Sequence, residues 1–209
     1  MDIHPPRQPI HTLKDFLLHL LTITVGLFIA LSLEAAVESV HHRHLVRDAR
    51  QNLRREIGDN HQLYSMNAKW IAENRDQLGR NMELLRELRK GKPLDPANLG
   101  WHWQWNSFSG VAWRAARDNG AVSYMDPNWI SSYSSIYLQQ DYVNSTALSI
   151  VSEESKAGAA LEAAVDPSKL SPSEIQTLLL KSAEINLSLS TLQTTMKSLE
   201  DMYSQQESH

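Results

Sequence analysis

The chain has no cysteine, which excludes disulfides, thiol nucleophiles and thiolate metal sites. It has no excess of basic charge: 20 lysines and arginines stand against 24 aspartates and glutamates, a formal charge of -4. No overall positive field exists to draw in a nucleic acid, so DNA and RNA are not expected as partners. The phosphate-binding loop, the nucleophile elbow, the zinc-binding helix motif and the dinucleotide fingerprint are all missing. Without them no catalytic residues and no cofactor are expected. Glycine and proline are scarce, at eight each, and most fall between long periodic segments, the mark of a mostly helical chain.

Charge is also absent from Phe16 to Leu33, a stretch of roughly 27 Å at about 1.5 Å per residue, close to a hydrocarbon core of about 30 Å. Lys14 can snorkel outward, and the hydroxyls of Thr22, Thr24 and Ser32 can bond back to the helix. A removable signal peptide and a buried core helix are the rival readings. Ala30-Leu31-Ser32 makes a poor cleavage site, and so long an uncharged run offers no polar face to water. The reading adopted is a single-pass anchor whose partner is the lipid bilayer. Thr22, Gly26 and Ala30 are small residues four apart, a face through which two copies of the span can approach, and Glu34 continues that row. An ionisable group at the edge of an apolar span is a candidate functional residue, against the plainer reading that it sits among the headgroups.

Orientation follows from two opposed arguments. Arg43, Arg47, Arg50, Arg54 and Arg55 after the span outnumber Arg7 and Lys14 before it, which favours a cytoplasmic C-terminal part. A first span after so short a tail commonly inserts with its N-terminus inside, and on balance the expectation is a periplasmic domain.

Beyond Val40 the helical period persists without proline until Pro93, so the first helix is expected to continue to about residue 90, with Gly58 and Gly79 as the places for any bend. Ile57, Tyr64, Ile71, Leu78 and Leu85 repeat at seven. Asn60, Asn67, Asn74 and Asn81 form a second row three residues on, so four amides lie within the seam of a heptad bundle. Buried amides need partners, and the expectation is an interhelical polar network, with a polar ligand channel as the sharper alternative.

Residues 91 to 106 read as a loop and Ser107 to Asn119 as a short helix capped by Gly120. Asp126-Pro127 opens a long helix with Trp129, Ile136, Val143, Ile150, Ala157 and Ala164 at sevens, beside Tyr133, Ala147 and Leu161. Ser171-Pro172-Ser173-Glu174 is a capping box that opens the last helix, whose rows are Leu178, Ile185, Leu192, Leu199 and Ile175, Leu189, Met196, Tyr203. The fold class is all-α: an N-terminal transmembrane helix continuing into an elongated antiparallel bundle of three long helices and one short one. The expected segments are a tail over 1–15, the membrane helix over 16–40, the bundle over 41–205 and a tail over 206–209.

Two clusters suggest chemistry. Glu38 and His41 have the Glu-x-x-His spacing of di-iron bundles, and Glu38 shares a face with His42. No second Glu-x-x-His occurs, so the three are metal-ligand candidates against the reading of an interfacial histidine cluster, and no metal is expected. Trp101, Trp103 and Trp105 alternate, so an extended segment turns their rings to one side. With the first helix continuous they lie about 70 Å from the bilayer, too far for an interfacial belt. Together with Trp113 and Trp129 they are expected to cap one end of the bundle, with a docking surface for an unidentified protein or a carbohydrate as the alternative.

The short tail, TVGLFIALSLEAAVE, RQNLRREIGDN at Arg50 to Asn60 and WRAARDNGAVSYMD at Trp113 to Asp126 together resemble a loose group of uncharacterised bacterial single-pass membrane proteins with helical domains of unknown function. The resemblance covers most of the chain and implies a bacterial inner-membrane location and an architecture, with no catalytic residues. The leading functional expectation is a membrane-anchored structural or interaction module. A sensor-type ligand-binding bundle and, behind it, a metal-dependent enzyme at Glu34, Glu38 and His41 are the alternatives.

Overall fold

Heptad rows, a capping box and an aspartate-proline start leave the chain little choice but helices. A computed structural model describes residues 13–95, 98–100, 104–163 and 169–207, and every regular element among them is helical. These are α1 (Leu13–Arg89), α2 (Val111–Asp118), a 3-10 turn (Ala121–Tyr124), α3 (Pro127–Ala163) and α4 (Pro172–Glu207). The fold is all-α, with three long helices and one short one.

Contacts divide the chain between Asp48 and Ala49, and α1 runs through that division without a break. In the first unit the helix surface from Leu13 to Val40 is exposed, apart from half-buried Thr24. Large apolar side chains such as Leu18, Ile23 and Phe28 stand about two-thirds open. Their polar neighbours turn inward: Thr22 Oγ1 donates to the Leu18 carbonyl at 2.9 Å and Thr24 Oγ1 to that of Leu20 at 2.8 Å. Spent on the helix's own backbone, these hydroxyls add little polarity to its surface.

The second unit is the bundle, built from the later part of α1 with α2, α3 and α4. Arg75 of α1 reaches Asn186 and Gln193 of α4, His61 reaches Glu200, and Arg89 reaches Gln176. As α1 rises α4 falls, so the two are antiparallel. Arg50 lies over the ring of Trp129 and Asn74 bonds Glu154, so α1 and α3 run the same way. Two parallel helices in sequence need a long return, and residues 90–126 supply it.

The heptad rows are the core. Leu53, Ile57, Ile71, Leu78 and Leu85 of α1 meet Ile136, Val143 and Ile150 of α3 and Leu189, Leu192, Met196 and Leu199 of α4, each at most 4 % exposed. Tyr64, placed in the α1 row by its spacing, is half-buried. Leu88, Leu94, Leu161, Ile175 and Leu178 close one end of the bundle.

The ends of the helices follow local chemistry. Glu174 Oε2 accepts from the Ser171 amide at 2.7 Å while Ser171 Oγ accepts from the Glu174 amide at 3.3 Å, the reciprocal capping box. Asp126 Oδ1 accepts from the Asn128 amide at 2.8 Å and so caps α3. At the C-terminus of α1, Gly91 takes φ 86. Its amide bonds the Leu88 carbonyl and the Lys92 amide bonds that of Glu87, the paired bonds of a Schellman motif. A side chain at Gly91 must adopt the left-handed region, a cost of about 1 kcal/mol. Gly91→Ala is therefore expected to lower the melting temperature by roughly 3 °C, measured by thermal unfolding, whereas an unchanged midpoint would mean the cap relaxes freely.

Two expectations shift. The short helix begins at Val111, four residues later than its composition suggests, because Phe108 and Ser109 are committed to neighbouring helices before it starts. Nor do the tryptophans among the described residues gather at one end. Trp105 packs edge-on against Trp70 midway along α1, while Trp113 stacks on Tyr137 and Trp129 lies beside Arg50 near the start of the bundle. Asn67 holds Asn106 one heptad along α1 from where Asn60 holds Ser109, which sets Trp105 apart from Trp113.

Candidate functional site: an asparagine ladder on the crossover

Asn60, Asn67, Asn74 and Asn81 are all buried, none more than 1 % exposed. Three of them do the same thing. Asn60 Nδ2 donates to the Ser109 carbonyl at 2.8 Å while its Oδ1 accepts from the Ser109 amide at 2.8 Å. Asn67 makes the same pair with Asn106 at 2.8 and 3.2 Å, and Asn81 with Gly100 at 2.7 and 3.2 Å. Each amide matches the donor and acceptor of one peptide residue, as a neighbouring strand would.

The register has a simple cause. Seven residues of helix rise about 10.5 Å, and three residues of extended chain cover about 10 Å. A heptad row of asparagines therefore meets every third residue of a strap running antiparallel to the helix. The position at the matching count from Asn74 lies outside the described residues. From the other side Asn144 of α3 repeats the motif, with its Nδ2 on the Phe108 carbonyl and its Oδ1 accepting from the Phe108 amide, both at 2.9 Å. The same Oδ1 accepts from the Trp105 indole at 3.3 Å. Between α1 and α3 the strap's backbone thus has side-chain amide partners on both flanks, which satisfies groups that burial would otherwise leave costly.

Glu56 extends the ladder toward α2. Its carboxylate accepts from Ser109 Oγ at 2.5 Å and from the Ala112 amide at 3.0 Å, a negative charge at a helix N-terminus. Burial, and after it the Glu56 charge, pushes the Tyr137 phenol well above its usual range.

Asn74 also reaches across to α3: its Nδ2 donates to Oε1 of Glu154. Glu154 is wholly buried, and burial pushes its carboxyl up to about 7, against the lowering effect of the Asn74 hydrogen bond. Oε2 of the same carboxyl has no hydrogen-bond partner among the described residues. Another buried polar contact, Gln140 Nε2 to the Tyr203 hydroxyl at 2.9 Å, lies on the same row of α3. Glu154, Gln140, Asn144 and Glu56 were not singled out by sequence reasoning. For two of them a signal existed, since Gln140 and Glu154 fill the gaps at seven between Tyr133, Ala147 and Leu161.

The remaining candidates are less convergent. Trp101 and Trp103 lie outside the described residues. Trp105 is half-buried against Trp70 and Phe108. Glu38 Oε1 lies 3.8 Å from His42 Nε2, and the His41 and His42 rings are tilted with centroids 6.1 Å apart. Among the described residues no three His, Cys, Asp or Glu side chains are placed to hold a metal ion. Glu34 is exposed on α1, and open space surrounds Gly26 between Thr22 and Ala30. A shallow cleft between α3 and α4 holds Lys181, ion-paired to Glu153 at 2.8 Å and Glu184 at 3.3 Å. No protein-family model, curated protein or solved structure matches the chain.

Proposed function

We propose that the protein is a single-pass, membrane-tethered helical module whose bundle serves a structural or interaction role, in a bacterial cell membrane with the bundle on the periplasmic side. One observation carries the reading. The first unit presents an apolar helix long enough to cross a membrane, with none of its apolar window buried, while the chain that follows packs its own heptad seams. Exposing so many leucines and phenylalanines to water is unfavourable by about 25 cal/mol per Å², and a bilayer removes that cost. The span lies near the N-terminus, as a signal sequence would, but its helix continues unbroken into the bundle. Self-association of two spans through Thr22, Gly26 and Ala30 belongs to the same proposal.

A structural role for the asparagine row is favoured over a ligand channel because the amides of Asn60, Asn67 and Asn81 are spent on the crossover backbone. Membrane extraction tests the anchor. The full chain is expected to stay with the membrane through high-salt and alkaline washes and to be released by detergent. Complete release by salt alone overturns the proposal.

A further inference from the structure

Among the described residues Glu154 is the one carboxyl buried in the seam where α1 and α3 close on each other. The same two helices grip the crossover, α1 through Asn60, Asn67 and Asn81 and α3 through Asn144. Asn144 and Glu154 lie ten residues apart on α3, about 15 Å. We propose that Glu154 is a proton-controlled latch on this grip: protonated, it lets α1 and α3 close on residues 104–110, and ionised, it draws water into the seam and loosens them. The inference holds whether or not the chain is anchored in a membrane.

The surroundings of Glu154 define what its charge would meet. From α1 it meets the neutral amide of Asn74. The next residue, Arg75, directs its guanidinium to Asn186 and Gln193 of α4. On α4, Lys181 is held by Glu153 and Glu184 at the surface, and its neighbour Ser182 is a wholly buried hydroxyl. Among the described residues, further titratable groups of the bundle lie toward its start: Glu56, bound to Ser109 and Ala112, the His61–Glu200 pair at 3.1 Å, and the buried phenols of Tyr133, Tyr137 and Tyr203. Asn74 lies 13 residues along α1 from His61, about 20 Å. Among the described residues a carboxylate so placed has one amide donor and no cation, whereas the carboxylic acid needs less and carries no charge. Burial accordingly holds the proton to about 7, against an ordinary 4.5.

The direction follows by linkage. When the seam opens, the hydrated carboxyl releases its proton above 4.5, while the closed form keeps it until about 7. Opening is thus favoured progressively as pH rises between those values, and the effect levels off above the upper one. Hydrogen exchange on the full chain in lipid nanodiscs, read by mass spectrometry on the 104–110 segment and corrected for intrinsic base catalysis, is the test. Protection of that segment is expected to fall about 30-fold between pH 5.5 and 8. In Glu154→Gln the corrected protection should be flat with pH. A flat wild-type profile overturns the latch, and so does an equal slope in the variant. Should Glu154→Gln fail to fold, carbon-13 NMR of the wild-type side chain decides: an inflection near pH 7 supports the latch, and one below pH 5 overturns it.

Discussion

Asn67→Ala is expected to cost about 3 kcal/mol of stability, from two partnerless backbone groups at about 1–3 kcal/mol each. The truncated side chain loses the donation from Nδ2 to the Asn106 carbonyl and the acceptance from the Asn106 amide. Asn67 is fully buried, so water reaches the freed groups only if the strap lifts away. At roughly 2–4 °C per kcal/mol for a domain of this size, the melting temperature should drop about 10 °C. Asn60→Ala should behave alike, and the double variant should cost less than the sum, because a strap freed at one rung has less to lose at the next. Urea unfolding of the full chain in detergent micelles measures all three. Costs below about 0.5 kcal/mol for both single variants, the range of an ordinary surface substitution, would mean that the rungs decorate the strap without holding it.

Glu154→Gln should act in the opposite sense, stabilising the bundle by about 3 kcal/mol at pH 8 and by almost nothing at pH 4. The folded carboxyl holds its proton to about 7 and the unfolded one to about 4.5. Below 4.5 both states are protonated and the difference vanishes. Between the two values unfolding releases a proton, so wild-type stability falls as pH rises, by about 1.4 kcal/mol for each unit separating the two pKa values. Glutamine keeps an acceptor for the Asn74 amide and cannot ionise. Glu87 and Glu153 run the other way, since their lysine partners hold both near 2, and their contribution is present above 4.5 and lost as pH falls toward 2. Wild-type stability should therefore peak in mildly acidic solution. Parallel stability curves for wild type and Glu154→Gln across pH 4 to 8.5 would show that Glu154 is ionised in the fold.

Periodicity made the long helices readable in advance. The α1 row, the Asp126-Pro127 start and the Ser171 box fix three helices with ends close to those observed. The asparagine row was equally legible as buried amides in need of partners. What it binds was not, because its partners are main-chain groups, which every residue carries and no composition reveals. For the same reason the strap's path was hidden. A loop rich in glycine and tryptophan reads as a cap, yet its route is set by the match between a helical seven and an extended three. Glu154 completes the row at seven with Tyr133, Gln140, Ala147 and Leu161, yet a carboxylate there reads as a break in the row, because a charge is costly to bury. Only the packing of the three helices shows that it is buried all the same.

Hydrogen bonds to main chain are indifferent to side chains. Gln104 and Ser107 of the strap are exposed while the amides hold the residues beside them. The protein thus separates what is gripped from what is shown. The strap's outward lettering is free to be rewritten over generations without loosening the frame that carries it.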